Sequence, residues 1–249
     1  MERGHPCPHR CMEELLAPTS EQSAIAVLLI GFVFGLYHAI EADHLAAVSA
    51  IVSEHKNVLT ASIIGGFWGL GHTISLFIVG ALVIFVKFQI TESTEGILEG
   101  IVGIMLVLLG LNAIRKIFKA EKVHTHAHEH DGHHHSHLHI HREEKAESSH
   151  HRFAPRSVLV GMIHGLAGSA GLMLLVLPTI PSPAVALLYI GIFGIGSIAG
   201  MMIMSMLMGL PLYFTAGRFV LINKGIRLLA GAFSLVWGAL LITEKFFSA

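Results

Sequence analysis

Gly35-Leu36-Tyr37-His38-Ala39-Ile40-Glu41-Ala42-Asp43-His44-Leu45 places two imidazoles and two carboxylates inside an otherwise apolar run from about Ala24 to Val52. A run of that length suits a bilayer-crossing helix, and its interior is where a chain can least carry ionisable groups. A carboxylate buried in hydrocarbon costs several kcal/mol unless it is paired or holds a cation. His38, Glu41, Asp43 and His44 fall within seven positions and offer the nitrogen and oxygen donors that bind divalent metals. A cluster serving only to fix helix packing would need intramembrane Lys or Arg to neutralise the two carboxylates, and the interiors of the apolar runs, away from their ends, supply neither. The segment therefore predicts a metal-ion pathway.

Composition agrees with a membrane setting. Of 249 residues, 53% are hydrophobic and 13% charged, with a mean hydropathy of +0.68; a soluble domain carries about 25% charged residues. The net charge of −1 and the absence of a basic stripe with interleaved aromatics give no sign of a nucleic-acid partner. Cys7 and Cys11 are the only cysteines, too few for a disulfide scaffold or a four-thiolate zinc site. The first apolar run is too long for a signal-peptide core.

Apolar runs of bilayer-crossing length occur six times, near Ala24–Val52, Leu59–Phe85, Ile97–Ile117, Ser157–Leu177, Ala184–Leu210 and Ile226–Ile242. The loops after the first, third and fifth runs hold twelve of the sixteen Lys and Arg residues, among them Lys56, Arg115, Arg156 and Arg218. The positive-inside rule puts those loops in the cytoplasm and both termini outside.

The two halves echo one another. Gly35-Leu36-Tyr37-His38 matches Gly161-Met162-Ile163-His164, and Gly66–His72 matches Gly191–Ser197. Gly103 and Gly110 are spaced like Gly231 and Gly238. The offsets of 126, 125 and 128 residues are nearly constant. Three crossings per copy, an odd number, make the second copy inverted, an architecture whose binding sites lie near the midplane at the repeat interface.

On an ideal helix His38, Glu41 and His44 share an arc of about 120°, with Asp43 about 100° from His44. All four converge on one ion only if the helix is unwound or bulged there, which the bilayer tolerates where freed backbone lines a cavity. Imidazole with carboxylate suits Ni²⁺, Co²⁺, Zn²⁺ or Mn²⁺, and the lack of intramembrane cysteine argues against Cu⁺. Glu41 is either a ligand or an acceptor that orients an imidazole. His72, in Gly69-Leu70-Gly71-His72-Thr73, and His164, in Gly161-Met162-Ile163-His164-Gly165, are further candidate ligands. No Gly-x4-Gly-Lys-Ser/Thr motif is present.

The spacing His38-x4-Asp43-His44, with Leu70-Gly71-His72-Thr73 in the next run, resembles the NiCoT family of nickel/cobalt transporters. The family form of the first motif is His-Ala-x-Asp-Ala-Asp-His, and this chain reads Glu41 at the fourth position. Ile163-His164-Gly165-Leu166-Ala167-Gly168-Ser169-Ala170 is similar to the second-half motif of the short, urease-accessory-type branch. These motifs cover runs one, two and four and, more loosely, five. The best-known members have eight helices with the first motif in the second; losing one leading helix would give the outside N-terminus that the charges predict. The resemblance implies metal recognition by the first two motifs, with nickel as substrate, cobalt second, and uptake into the cytoplasm.

Two segments lie outside the spans. Between His124 and His151 stand twelve of the nineteen histidines, with acidic residues and no apolar period. Composition predicts a disordered cytoplasmic loop that binds transition metals weakly at several places. Ahead of the first span, His5, Cys7, His9 and Cys11 form a candidate accessory metal-capture set.

The sequence thus predicts an all-α polytopic membrane protein of about six helices in two inverted three-helix repeats. Residues 1–23 form an extracytoplasmic arm, 24–118 the first repeat with the metal site, 119–155 the His-rich loop and 156–249 the second repeat. It is not expected to be an enzyme or to carry a resident cofactor; Ni²⁺ or Co²⁺ is its substrate. The site set is His38, Glu41, Asp43, His44, His72 and His164. Efflux for metal resistance and a membrane-embedded zinc hydrolase are the alternatives. The bilayer is its surroundings, in a bacterial or archaeal inner membrane, and a metallochaperone or further copies of the chain are open partners.

Overall fold

The computed structural model describes residues 20–53, 55, 57–87, 91–119, 124–130, 133–139, 150–166, 180, 182–216 and 218–247. Its elements run α1 (Ser20–His38), α2 (Ala42–Val52), α3 (Val58–Ala81), α4 (Glu92–Lys119), β1 (His124–His130), β2 (His133–His139), α5 (His150–Gly165), α6 (Pro183–Thr215) and α7 (Val220–Phe247). Asn57 starts α3 by accepting the backbone N–H of Leu59 at 2.8 Å, one of the orphan donors of a helix start. Beyond Ala81 the same helix continues through a wider π turn, Leu82–Val86.

Among the described residues four helices are long and apolar enough to cross a bilayer: Val58–Val86, Ser93–Lys119, Pro183–Thr215 and Val220–Phe247. The pair α1 and α2 makes a fifth if counted as one span, bent by 54°. The sequence expectation is about six spans; the described residues give four, or five with the bent pair. The first, Ala24–Val52, is broken at its ionisable cluster. The fourth, expected over Ser157–Leu177, is described only as α5, which ends at Gly165; the run after Leu166 lies outside the described residues.

The break has a local cause. The N–H groups of Ile40 and Glu41 turn back to the carbonyls of Tyr37 (2.9 Å) and His38 (3.1 Å), and Glu41 is extended (φ −62°, ψ 148°). A fresh helix then starts when Leu45 N–H donates to the Glu41 carbonyl at 2.9 Å.

The helices pack as α1 on α6, α3 between α5 and α6, and α4 on α7, with α2 against α6, α7 and α4. Lipid is as apolar as leucine, so close backbone approach through small residues, not hydrophobic segregation, holds such helices together. A Cβ on Gly35 would overlap the Phe193 carbonyl across the α1–α6 contact, and one on Gly161 the Trp68 carbonyl across α5–α3. Serines add hydrogen bonds between helices: Ser75 Oγ donates to the Met162 carbonyl (2.8 Å) and Ser234 Oγ to the Leu106 carbonyl (2.9 Å). Trp68, Leu106, Tyr189 and Phe193 fill the interior, while Leu29, Phe85, Leu108, Phe214 and Leu229 face outward, as a lipid-facing surface should.

Within the histidine-rich segment the described residues 124–130 and 133–139 form two strands. β1 and β2 pair antiparallel in the register His124↔His139, His126↔His137, His128↔His135 and His130↔His133. The physical reason is visible in the sequence: two alternating runs flank Asp131-Gly132, a strong two-residue hairpin signal that the compositional reading passed over.

Candidate metal centre

The break in the first span brings the cluster together. His38 is the last residue of α1, Asp43 and His44 lie in the first turn of α2, His72 is midway along α3, and His164 is the penultimate residue of α5. Relative exposure of the four imidazole-bearing residues is 0% for His38, His44 and His72, and 1% for His164. The two carboxylates are more open, with side-chain exposures of 31% for Glu41 and 23% for Asp43.

His38 Nε2 and His72 Nε2 stand 3.1 Å apart. Two nitrogens bound at about 2.1 Å to one ion would sit roughly 3.0–3.4 Å apart, depending on geometry, so this spacing already suits a shared cation. The His44 ring lies 4.2 Å from that of His38 and 5.2 Å from that of His72, centroid to centroid. Its Nε2 is buried without a hydrogen-bond partner among the described residues. An orphaned nitrogen at this depth costs free energy unless something binds it.

The carboxylates hold the imidazoles from behind. Asp43 Oδ1 accepts the His44 backbone N–H at 2.8 Å and lies 2.9 Å from His44 Nδ1, while Oδ2 lies 3.0 Å from His164 Nε2. An ionised carboxylate only accepts, so the facing ring nitrogens donate. That fixes His44 with its proton on Nδ1 and its Nε2 lone pair free, the carboxylate–histidine arrangement usual behind metal ligands. Placing the Asp43 charge in the first turn of α2 also favours the helix dipole. Glu41 Oε1 approaches His38 Nδ1 at 2.9 Å, an ion-pair distance without hydrogen-bond alignment.

Two groupings therefore offer ligand atoms within 4.8 Å of one another: His38, His44 and His72, all buried, and Asp43, His44 and His164. His44 belongs to both. The six residues expected from the sequence converge here, whereas the accessory set His5, Cys7, His9 and Cys11 lies outside the described residues. Two residues that sequence reading passed over form the walls. Trp68 lies 5.3 Å from the rings of both His44 and His164, and Phe193 lies 5.6 Å from His38. Trp68 precedes His72 by four positions, the spacing that puts two side chains on one helix face, and that was the available signal. Thr73 Oγ1 donates to the Gly69 carbonyl one turn back at 2.8 Å and supports the backbone beside His72.

A family model described as high-affinity nickel-transport protein (NicO) matches residues 24–223. The chain is 38% identical over 215 residues to the urease accessory protein UreH of Bacillus sp. (strain TB-90), covering 86% of this chain and 89% of that one. No solved structure gives a significant match.

Proposed function

The chain belongs to the NicO family of high-affinity nickel-transport proteins, and on that premise we propose that His38, His44 and His72 form the intramembrane site that strips and carries the ion. It is a multi-pass membrane protein that transports a transition metal of the nickel/cobalt class, and it is not an enzyme. The zinc-hydrolase alternative gives way to that membership. Nickel or cobalt is cargo, and no resident cofactor is needed.

One observation carries the site assignment: three buried imidazoles converge, two with Nε2 atoms 3.1 Å apart and the third with an orphaned Nε2. Neutral imidazole is a good ligand for Ni²⁺ and Co²⁺. Asp43 orients His44 and, with Glu41, supplies negative charge close by, lowering the cost of moving a dication into a low-dielectric interior. His164 clamps Asp43 from α5.

Packing supports two inverted repeats, with α1–α2, α3 and α4 against α5 and its continuation, α6 and α7. Gly35 abuts the Phe193 carbonyl as Gly161 abuts that of Trp68; Gly71 abuts the Val158 carbonyl as Gly196 abuts that of Phe32. Gly103 faces Gly238 as Gly231 faces Gly110. Phe193 walls His38 as Trp68 walls His164. Each correspondence keeps the 125- to 128-residue offset, and these pairings support a sixth crossing that α5 begins. The site then lies at the repeat interface, where carriers of this architecture bind.

Uptake is the direction we favour, from the resemblance of the motifs to nickel/cobalt importers. Efflux is the second reading, favoured by the twelve histidines between His124 and His151, on the side that the charges assign to the cytoplasm. Full-length protein in sealed liposomes decides the function: Ni²⁺ or Co²⁺ should cross with wild-type protein and fail to cross with His72→Ala. Equal flux in the two would refute the site.

A further inference from the structure

The two ligand groupings overlap in one residue and differ in origin. His38 ends α1, the half-helix that the charge distribution brings in from outside. His164 sits at the end of α5, whose opening turns carry Arg152 and Arg156 and which so enters from the cytoplasm. The two histidines are counterparts under the 126-residue offset. His44 stands midway, its ring centroid 4.2 Å from each of theirs.

From this, and resting on the transport reading above, we infer that the centre is a two-station relay. The ion is received at His38, His44 and His72 and handed through His44 to Asp43, His44 and His164 on the cytoplasmic side. Because His44 is common to both, one ion occupies the centre at a time.

The ring of His44 is arranged for the exchange. In the first station its free Nε2 faces the ion while Nδ1–H stays on Asp43 Oδ1 (2.9 Å). In the second the ion takes the place of that proton between Nδ1 and Asp43. The proton lost from Nδ1 is balanced by one gained on the vacated Nε2, so His44 stays neutral throughout. Asp43 Oδ2 and His164 Nε2, 3.0 Å apart, have the spacing of neighbouring ligands once His164 carries its proton on Nδ1, which has no hydrogen-bond partner among the described residues. Trp68 packs against both His44 and His164 and separates neither from the other.

The test compares His164→Gln with His38→Gln in the full-length chain, with the hairpin histidines 124–139 replaced by asparagine so that they do not mask the centre. Nickel binding is read by calorimetry and by the ligand-field spectrum of the bound ion, and flux in sealed liposomes. For His164→Gln the relay predicts about one ion bound with an affinity within roughly threefold of the parent, alongside a flux reduced by about tenfold or more. His38→Gln should lose both. Asp43→Asn, which keeps the shape of the hydrogen bonds to His44, serves as the second variant if glutamine at 164 prevents folding; it should still bind, about 10- to 100-fold more weakly, with the all-imidazole spectrum, and stall. Undiminished flux in His164→Gln would overturn the relay, as would equal loss of binding in both glutamine variants, which would mean one undivided site. A parent chain that neither binds nor transports nickel would instead sink the transport reading itself.

Discussion

His38 Nε2 lies 3.1 Å from His72 Nε2, joining the end of α1 to the middle of α3 across 34 positions of sequence. Two neutral imidazoles meeting nitrogen to nitrogen make one N–H···N hydrogen bond, and a cation between them would take the place of its proton. Replacing either by alanine should bring nickel flux in proteoliposomes down to that of protein-free vesicles while leaving the thermal unfolding midpoint in detergent unchanged or raised, because a crowded pair of buried polar groups has been relieved. A markedly lowered midpoint would show that the pair holds the fold together instead.

Asp43 and Glu41 should separate in effect. Asp43 makes three aligned contacts, so Asp43→Asn is expected to weaken nickel binding about 10- to 100-fold, the usual cost of losing a group that orients a ligand. Glu41 is more open and poorly aligned with His38, so Glu41→Gln should cost clearly less, and Glu41→Asp, the form its relatives' motif carries, should be near neutral. Isothermal titration with Ni²⁺ and Co²⁺ measures both. An order reversed between Asp43 and Glu41 would contradict the geometry.

The interhelical glycines should be intolerant in matched pairs. Gly35→Val drives a side chain into the Phe193 carbonyl and Gly161→Val does the same at Trp68. Each should destabilise by about 1–3 kcal/mol, the usual penalty of overpacking, read as lowered unfolding midpoints of similar size. Gly225→Val, where a Cβ would meet open space, is the control and should cost far less.

Where the sequence was readable, it was readable for electrostatic reasons. His38, Asp43, His44 and His72 stood out because ionisable groups do not belong in an apolar run, and the angular spread of Asp43 and His44 required the broken helix that α1 and α2 display. What could not be read was which atoms face which. Asp43 counts as a ligand by composition, and only its contacts to two imidazoles reveal an orienting role. Trp68 and Phe193 read as ordinary core because an aromatic in an apolar helix carries no chemical signal of its own. The hairpin was missed for the opposite reason: a polar composition outweighed a local turn signal at Asp131-Gly132.

The hairpin should act as a store and not as the path. Substituting the histidines of β1 and β2 by asparagine should lower the number of nickel ions bound per chain, while flux from saturating external nickel changes less than about twofold, since the intramembrane ligands are untouched. Atomic absorption on dialysed protein and vesicle flux give the two numbers. Abolished flux would move the hairpin into the transport path.

Three buried imidazoles are proposed to hold the travelling ion. Equilibrium nickel titration of the hairpin-substituted, full-length chain puts this to the most direct test. The expected result is close to one ion per chain, lost in His38→Ala, His44→Ala and His72→Ala alike. A chain that binds nickel equally well after all three substitutions would contradict it.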